Sequence, residues 1–239
     1  MMTIDLISRS YGLALGLFFW STLALLGCDA PDGRESRRLG GTSPTAAAPT
    51  SSFDQQAAAV RAGQVTTIRA EESTLQAAQL QTLGTLIALT QLELPHAAVD
   101  DAFARQIAAL PQLEVLVLGE TTIGDDGWHR LTSLKKLKRL NVAKCEIDDA
   151  ALRSISSLAE LELLRVGSSR VTDVGLAEIA KLPNLRHLII RFAPITDAGL
   201  KPLAGMTRLE SLYLEGTQVT EAGERELLRA RPELHIHFP

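Results

Sequence analysis

A leucine recurs every 24 residues through most of this 239-residue chain. The members of this column are Val65, Leu89, Leu113, Leu137, Leu161, Leu185 and Leu209. A second apolar column runs three residues later, from Ile68 to Leu212, and a third runs five residues later, from Ala70 to Leu214. A period of this length predicts one supersecondary unit per repeat, with seven units stacked so that neighbours bury a shared core.

Each repeat changes its hydrophobic period partway. The apolar residues first alternate, as in a half-buried strand, and are then spaced three apart, as on one face of a helix. Helix-start signals lie between the two parts, at Thr172-Asp173, Thr196-Asp197 and Thr220-Glu221. Threonine can cap the helix, and the acid suits its positive end. Glycines follow at Gly127, Gly175, Gly199 and Gly223, where we expect them to permit close packing of strand against helix.

The repeat pattern LxxLxLxxTxITDxGLxxLxxLxx resembles the leucine-rich-repeat family, and in particular its ribonuclease-inhibitor-like and cysteine-containing branches. The resemblance implies an α/β fold, a right-handed solenoid shaped like a horseshoe, with parallel strands on the concave face and helices on the convex face. It also implies a role in protein recognition. We expect this domain to occupy residues 65–239, as seven repeats followed by a terminal strand.

The ninth position of each repeat departs from the asparagine or cysteine that the family often carries there. The residues are Ser73, Ala97, Thr121, Cys145, Ser169, Ala193 and Thr217. Because alanine cannot donate a side-chain hydrogen bond, we expect the ladder that joins successive turns to be interrupted. Cys145 is then predicted to be a buried ladder member and not a reactive thiol.

The N-terminus has the features of an export signal. An apolar run from Leu13 to Leu26 is followed by Gly27 and Cys28. Its length suits a signal peptide and is short for a membrane-spanning helix. The segment Leu25-Leu26-Gly27-Cys28 resembles a bacterial lipobox, which implies cleavage of residues 1–27 and lipid attachment at Cys28. The alternative is an uncleaved signal anchor, and either case ties the protein to a membrane in the cell envelope.

Two short segments precede the repeats. Residues 28–51 are rich in Pro, Gly, Ala, Ser and Thr, and this composition predicts a flexible tether. Residues 52–64 are predicted to form an N-terminal capping helix. Ser52 and Gln55 have the spacing of a capping box, and Phe53, Ala57 and Val60 fall on one helical face.

The side chains between the core positions of each strand are predicted to line the concave face. Arg139, Arg165 and Arg191 lie on successive strands, each shifted by two places, so they should form a diagonal row with neighbours about 8 Å apart. The candidate binding face consists of Arg139, Leu163, Arg165, His187, Ile189, Arg191, Phe192 and Tyr213. Arginine and tyrosine among exposed aliphatic side chains are typical of binding hot spots, although a merely solubilising mixture is the alternative.

Several other classes of function find little support. The formal net charge of −4 argues against a nucleic-acid partner. We find none of the common nucleophile, phosphate-loop or zinc-protease motifs, so we expect neither an enzyme nor a cofactor. His235 and His237 share one strand face and are weak candidates for a metal site, which needs three or four ligands.

The sequence therefore predicts a membrane-tethered, exported protein that binds a partner protein through its concave face. The alternative is a surface module that binds an anionic polymer, such as a glycan or a cell-wall component, through the arginine row.

Overall fold

The computed structural model describes residues 52–71, 75–120 and 122–237. Contacts divide the chain into Met1–Ala46 and Ala47–Pro239, and every described residue belongs to the second unit. The predicted signal peptide (residues 1–27), the lipid-attachment site Cys28 and the tether (residues 28–51) lie outside the described residues.

Helices and strands alternate along the described chain. The helices are α1 (Phe53–Arg61), α2 (Ala77–Leu83), α3 (Asp101–Ile107), α4 (Asp125–Leu131), α5 (Asp149–Ile155), α6 (Asp173–Ile179), α7 (Asp197–Leu200), which continues into a 3₁₀ turn (Lys201–Gly205), and α8 (Glu221–Ala230). The strands are β1 (Thr67–Arg69), β2 (Gln91–Leu94), β3 (Val115–Leu118), β4 (Arg139–Val142), β5 (Leu163–Gly167), β6 (His187–Arg191), β7 (Ser211–Glu215) and β8 (His235–His237).

These strands form one open parallel sheet whose order is the order of the sequence. Each strand residue pairs with the residue 24 positions away, as Leu140 pairs with Leu164 and Leu164 with Leu188. Consecutive helices pack against one another in a second layer. The predicted leucine-rich-repeat solenoid, with strands on the concave face and helices on the convex face, is confirmed.

The core lies between the two layers and is built from the leucine columns. Leu92, Leu116, Leu140, Leu164, Leu188 and Leu212 retain at most 1% of their exposure. Burial of such a side chain contributes roughly 1.5–3 kcal/mol. Because each column is continuous from repeat to repeat, this stabilisation depends on the presence of both neighbours.

The first repeat is closed by α1. The capping box of Ser52 and Gln55 is formed, and Phe53, Ala57 and Val60 are buried. The side chain of Gln56 bonds to the outer edge of β1: its Oε1 accepts from the N–H of Arg69, and its Nε2 donates to the carbonyl of Arg69, both at 2.7 Å. A side-chain amide thus occupies the position of a neighbouring strand and blunts an edge that could otherwise pair with another chain.

The last repeat is held by a buried arginine. Arg231 is 5% exposed, and its guanidinium donates to the carbonyl oxygens of Met206, Thr207 and Leu209. These carbonyls belong to the turn before β7. Arg231, which directly follows α8, therefore holds this turn in place through hydrogen bonds. Strand β8 then pairs with β7. Phe238 and Pro239, the last residues of the predicted repeat domain, lie outside the described residues.

The glycines of the Thr-Asp-x-Gly signal have a different role from the predicted one. Thr172 caps α6, and its N–H and hydroxyl also donate to the Asp149 carboxylate of the preceding helix, at 2.9 and 2.7 Å. A Cβ on Gly175 would lie 2.3 Å from Asp149 Oδ1. Gly175 therefore makes room for an aspartate of the neighbouring helix, and the expectation that it serves strand–helix packing is wrong.

The same link recurs between later helices. Asp173 accepts from the N–H and hydroxyl of Thr196 at 2.8 and 2.6 Å, and Asp197 accepts from those of Thr220 at 2.8 and 2.7 Å. A Cβ on Gly199 or Gly223 would collide with the corresponding aspartate. We call these contacts the aspartate links. They hold the pKa of Asp197 below its usual value, mainly through the bond from the Thr220 backbone.

The ladder at the ninth position is partly as predicted. Cys145 is buried, and its Sγ donates to the carbonyl of Gly119 at 2.9 Å. In the fifth repeat, the prediction that Ser169 is the ladder residue is wrong, because Ser169 is exposed and Ser168 is buried. Ser168 Oγ donates to the carbonyl of Ile147 at 2.7 Å and accepts from the N–H of Arg170, so the turn points the earlier serine inward. Ser73 and Thr121 lie outside the described residues.

The aspartate links lead to a stability prediction. We expect Gly175→Ala to lower the free energy of unfolding by about 1–3 kcal/mol, because the new methyl group would overlap Asp149 and Leu152. Urea denaturation followed by circular dichroism measures the change. The matched control is Gly205→Ala, since a Cβ there meets no atom within 4 Å and should leave stability unchanged or slightly raised. Equal stability of the two variants would contradict the steric role of Gly175.

Candidate functional site

The concave face is organised in rows by the 24-residue register. One row contains Thr67, Gln91, Val115, Arg139, Leu163, His187, Ser211 and His235. The next contains Arg69, Glu93, Val117, Asn141, Arg165, Ile189, Tyr213 and His237. In a third row Gly167, Arg191 and Glu215 are neighbours on β5, β6 and β7.

The three predicted arginines lie on the predicted diagonal. Arg139 is in the first row on β4, Arg165 in the second on β5, and Arg191 in the third on β6. Their exposure differs: Arg139 is exposed, Arg165 retains 5%, and Arg191 is one-third exposed. Arg139 is therefore the member of the row that solvent reaches most readily.

Glu215 pairs with the end of the arginine row. Arg191 Nε lies 2.5 Å from one Glu215 oxygen, and Arg191 Nη2 donates to the other at 2.7 Å. The hydrogen bond from Arg191 lowers the pKa of Glu215, and the charges of Arg191 and Arg165 act in the same direction. The sequence places Glu215 on the concave face, but the predicted binding face did not include it; its position 24 residues after Arg191 is the signal that pairs the two residues.

The expected strip of exposed aliphatic side chains is not present. Leu163 and Ile189 are only 7% and 8% exposed. Leu163 lies between Arg139 and His187, and Ile189 lies between Arg165 and Tyr213. The alternation of the strand placed both residues on the correct face, but each lies between larger side chains of its row and is buried. They support the surface and present little area to a ligand.

Phe192 is the exposed apolar residue of the candidate face. Its side chain is 60% exposed, and its ring lies 5.3 Å from the Arg191 guanidinium carbon. Its backbone has a φ of 57°, and Gly216, which occupies the same position in the next repeat, has a φ of 63°. A left-handed conformation costs a residue with a Cβ roughly 1–2 kcal/mol. The turn therefore requires a backbone conformation that suits glycine, and Phe192 adopts it at a cost in conformational free energy.

An aromatic pair closes the C-terminal end of the face. The rings of Tyr213 and His237 are stacked, with centroids 4.1 Å apart and planes 8° from parallel. Burial lowers the pKa of His237, and the nearby His235 adds to the effect. Within the described residues, no group of three or more His, Cys, Asp or Glu side chains is placed to hold a metal ion.

The N-terminal part of the face carries a separate polar network. Arg69 pairs with Glu71 at 3.1 Å and with Glu93 at 3.7 Å, and Gln91 donates to Glu93 at 2.5 Å. Sequence reasoning did not single out this group. Its one arginine and two glutamates leave a formal charge of −1, which is opposite in sign to that of the arginine row.

A cleft of about 330 Å³ lies outside the concave face, where the turns lead into the last strands. It is lined in part by Arg186, Arg208 and Arg231. Arg186 bonds to Glu210, Arg208 to Asn184 at 2.6 Å, and Arg231 to Glu233 at 2.5 Å. Because these arginines already serve links between repeats, the cleft is part of the scaffold.

Comparison with known proteins agrees with this architecture. The family model described as a leucine-rich repeat region matches residues 58–237, and the chain belongs to the leucine-rich-repeat family. Members of this family are generally non-enzymatic scaffolds, and the fold in general supports a protein–protein interaction module. A search of the curated proteins finds no match.

Solved structures show the same fold. An internalin from Listeria monocytogenes is 17% identical, with a TM-score of 0.57 over 75% of this chain and 49% of its own. A leucine-rich-repeat protein from Leptospira interrogans is 15% identical, with a TM-score of 0.53 over 76% of this chain and 51% of its own. The chain thus spans about half the length of these structures. At such identities the likeness extends to the fold alone.

No helix among the described residues has the length and apolar character needed to cross a membrane.

The partly buried His187 on the concave face leads to a predicted pH dependence of stability. Burial lowers the pKa of His187, against a smaller raising effect of Glu210, while Arg186 and Arg139 lower it further. The unfolded chain, with a histidine pKa near 6.5, then binds a proton that the folded chain resists. We therefore expect the free energy of unfolding to fall as pH is lowered from 7.5 through 6.5 towards 5.5.

Urea denaturation across this range tests the prediction. His187→Gln should show a smaller loss of stability than the native chain, since one of the responsible groups is removed. His129→Gln, which changes an exposed histidine in α4, is the control and should retain the native dependence. An unchanged slope in His187→Gln would show that His187 does not contribute.

Proposed function

We propose that this protein is a membrane-tethered binding module of the cell envelope that holds a partner protein against the C-terminal half of its concave face. The observation that carries the proposal is the placement of Arg139 on β4, Arg191 on β6 and Tyr213 on β7 of one sheet, with Phe192 directly after β6. Arginine and aromatic residues are the side chains most enriched among binding hot spots.

The rigid scaffold supports this proposal. Residues on regular strands are held by the sheet, so a partner meets a face whose backbone is already ordered, which lowers the entropic cost of association. The ion pair of Arg191 with Glu215 and the stack of Tyr213 on His237 restrict these side chains further. A preorganised surface of this kind suits specific recognition.

The tether is proposed from the sequence. The lipobox-like segment ending at Cys28 supports lipid attachment, and residues 28–51 would then span on the order of 25–30 Å as a flexible coil. The solenoid would be held close to a membrane and remain free to rotate. The alternative of an uncleaved signal anchor gives the same placement.

An anionic polymer, such as a glycan or cell-wall strand, is the second candidate ligand. The arginine row favours it, because the row carries a net positive charge along a diagonal and Arg139 is exposed at one end. The exposed ring of Phe192 favours a protein, since it supplies apolar contact area that a polyanion does not need.

Reversal of one exposed arginine tests the binding face. Chemical crosslinking in membranes should capture a partner with the native chain and lose at least ~10-fold of it with Arg139→Glu, because the charge at an exposed position of the face is inverted. Arg130→Glu, on the exposed side of α4, is the matched control and should retain the partner. Retention by both variants would contradict the assignment of the concave face, and capture of a polysaccharide with steep salt dependence would favour the second candidate.

A separate change tests the anchor. In a bacterial host, Cys28→Ala should abolish incorporation of labelled fatty acid, because the acceptor thiol is absent. It should also leave an uncleaved precursor on electrophoresis. The control is Cys145→Ala, which removes a buried cysteine of the repeats and should leave lipid incorporation unchanged. Labelling that persists in Cys28→Ala would refute lipidation at this residue.

A further inference from the structure

Phe192 combines two features that do not stabilise the solenoid. Its backbone is left-handed, with a φ of 57°, and its ring is 60% exposed. Gly216 adopts the same backbone conformation in the next repeat without a side chain. The fold therefore needs the turn at this position but does not need the phenyl ring.

The ring is nevertheless held in a defined place. The Arg191 guanidinium lies 5.3 Å from its centroid. A Cβ on Gly216 would lie 2.8 Å from Phe192 Cδ1, so the absence of a side chain at Gly216 lets the ring lie across the adjacent turn. An exposed aromatic ring with a supported position is a ready contact for an apolar group.

The same half of the face has a net positive charge. On β4 to β8 the concave rows carry Arg139, Arg165 and Arg191 against Glu215, a formal charge of three minus one, or +2. The positions just before strands β4 to β7, namely Lys138, Glu162, Arg186 and Glu210, sum to zero. The N-terminal rows on β1 to β3 carry Arg69 against Glu93, with Glu71 following β1. The positive surplus is thus confined to the half that contains Phe192.

The geometry joins the two features into one track. Arg139 and Phe192 are separated by two strands and by five residues along the strand direction, which corresponds to about 19 Å. An extended peptide covers this distance with about six residues. Arg165 and Arg191 lie between the two ends of the track.

We propose that the partner presents an extended acidic segment of about six residues, which crosses the sheet from Arg139 and places an apolar side chain on Phe192. This inference rests on the proposed function and specifies its ligand. A carboxylate of the segment faces the exposed Arg139, within the net positive charge of the row, and the apolar side chain contacts the phenyl ring. Charge complementarity sets the chemistry of the segment, and the ring sets its position along the track.

Synthetic polymers of defined chemistry test this assignment without knowledge of the partner. A glutamate-rich Glu-Tyr copolymer, polyglutamate, a Lys-Tyr copolymer and polygalacturonate are each titrated against the full chain, and binding is followed by calorimetry. We expect the Glu-Tyr copolymer to bind at least ~10-fold more tightly than any of the other three, because it alone supplies both carboxylates and apolar rings.

Three variants locate the contact. Phe192→Asn should weaken copolymer binding at least ~10-fold while the thermal midpoint stays at or above the native value, because asparagine tolerates the left-handed backbone. Phe192→Tyr should keep the affinity, since it restores the ring. Val174→Asn alters an exposed apolar residue of α6 and should have no effect on binding.

The remaining outcomes separate failure of this inference from failure of the proposed function. Stronger binding of the Lys-Tyr copolymer, lost in Arg139→Glu or Phe192→Asn, would overturn the acidic segment and keep the concave face as a protein-binding site. Stronger binding of polygalacturonate would overturn both in favour of the glycan. Weak binding of all four polymers, or copolymer binding that Phe192→Asn leaves unchanged, would overturn the inference.

Discussion

Every part of this molecule depends on contact between one repeat and the next. A single repeat has a three- to five-residue strand and a short helix, and neither can bury its apolar side without a neighbour. The constant 24-residue spacing places each leucine of the core beside its counterpart, so that Leu140, Leu164 and Leu188 form one continuous column. Stability is therefore shared along the stack. The two ends need special devices, which are the amide of Gln56 at β1 and the guanidinium of Arg231 before β7.

The same constraint leaves the concave face open to variation. Core positions are fixed by the column above and below them, whereas the residues between them need only suit a strand. Charged, apolar and aromatic side chains can therefore occupy the rows without loss of the fold. Phe192 illustrates this freedom, because the turn accepts a strained and exposed aromatic residue at a position where the next repeat has Gly216. The surface and the scaffold are thus specified by different residues of each repeat.

The sequence predicted the strands, the helices and the diagonal of arginines, because these follow from spacing alone. Periodicity assigns a residue to a face, but exposure depends on the length of the neighbouring side chains. For this reason Leu163 and Ile189 were expected at the surface and are covered. The inward serine of the fifth repeat was missed for a similar reason, since the choice between Ser168 and Ser169 is made by the turn backbone. The role of Gly175 could not be predicted from the sequence, because the residue that it accommodates, Asp149, is 26 positions earlier in the chain and is brought close only by the fold.

The aspartate links also give the stack a polarity. Each linked helix offers a carboxylate on one side and a threonine with an adjacent glycine on the other, as Asp173 does towards Thr196 and Gly199. A repeat of this kind can be duplicated and still join both neighbours, because every copy carries one complementary half of each junction. The fourth repeat breaks the pattern with Asp148 as its cap and Ala151 in place of glycine. The aspartate links therefore join α5, α6, α7 and α8 in one uninterrupted series, next to the arginine row, and a repeat copied within this series would meet complementary partners on both sides.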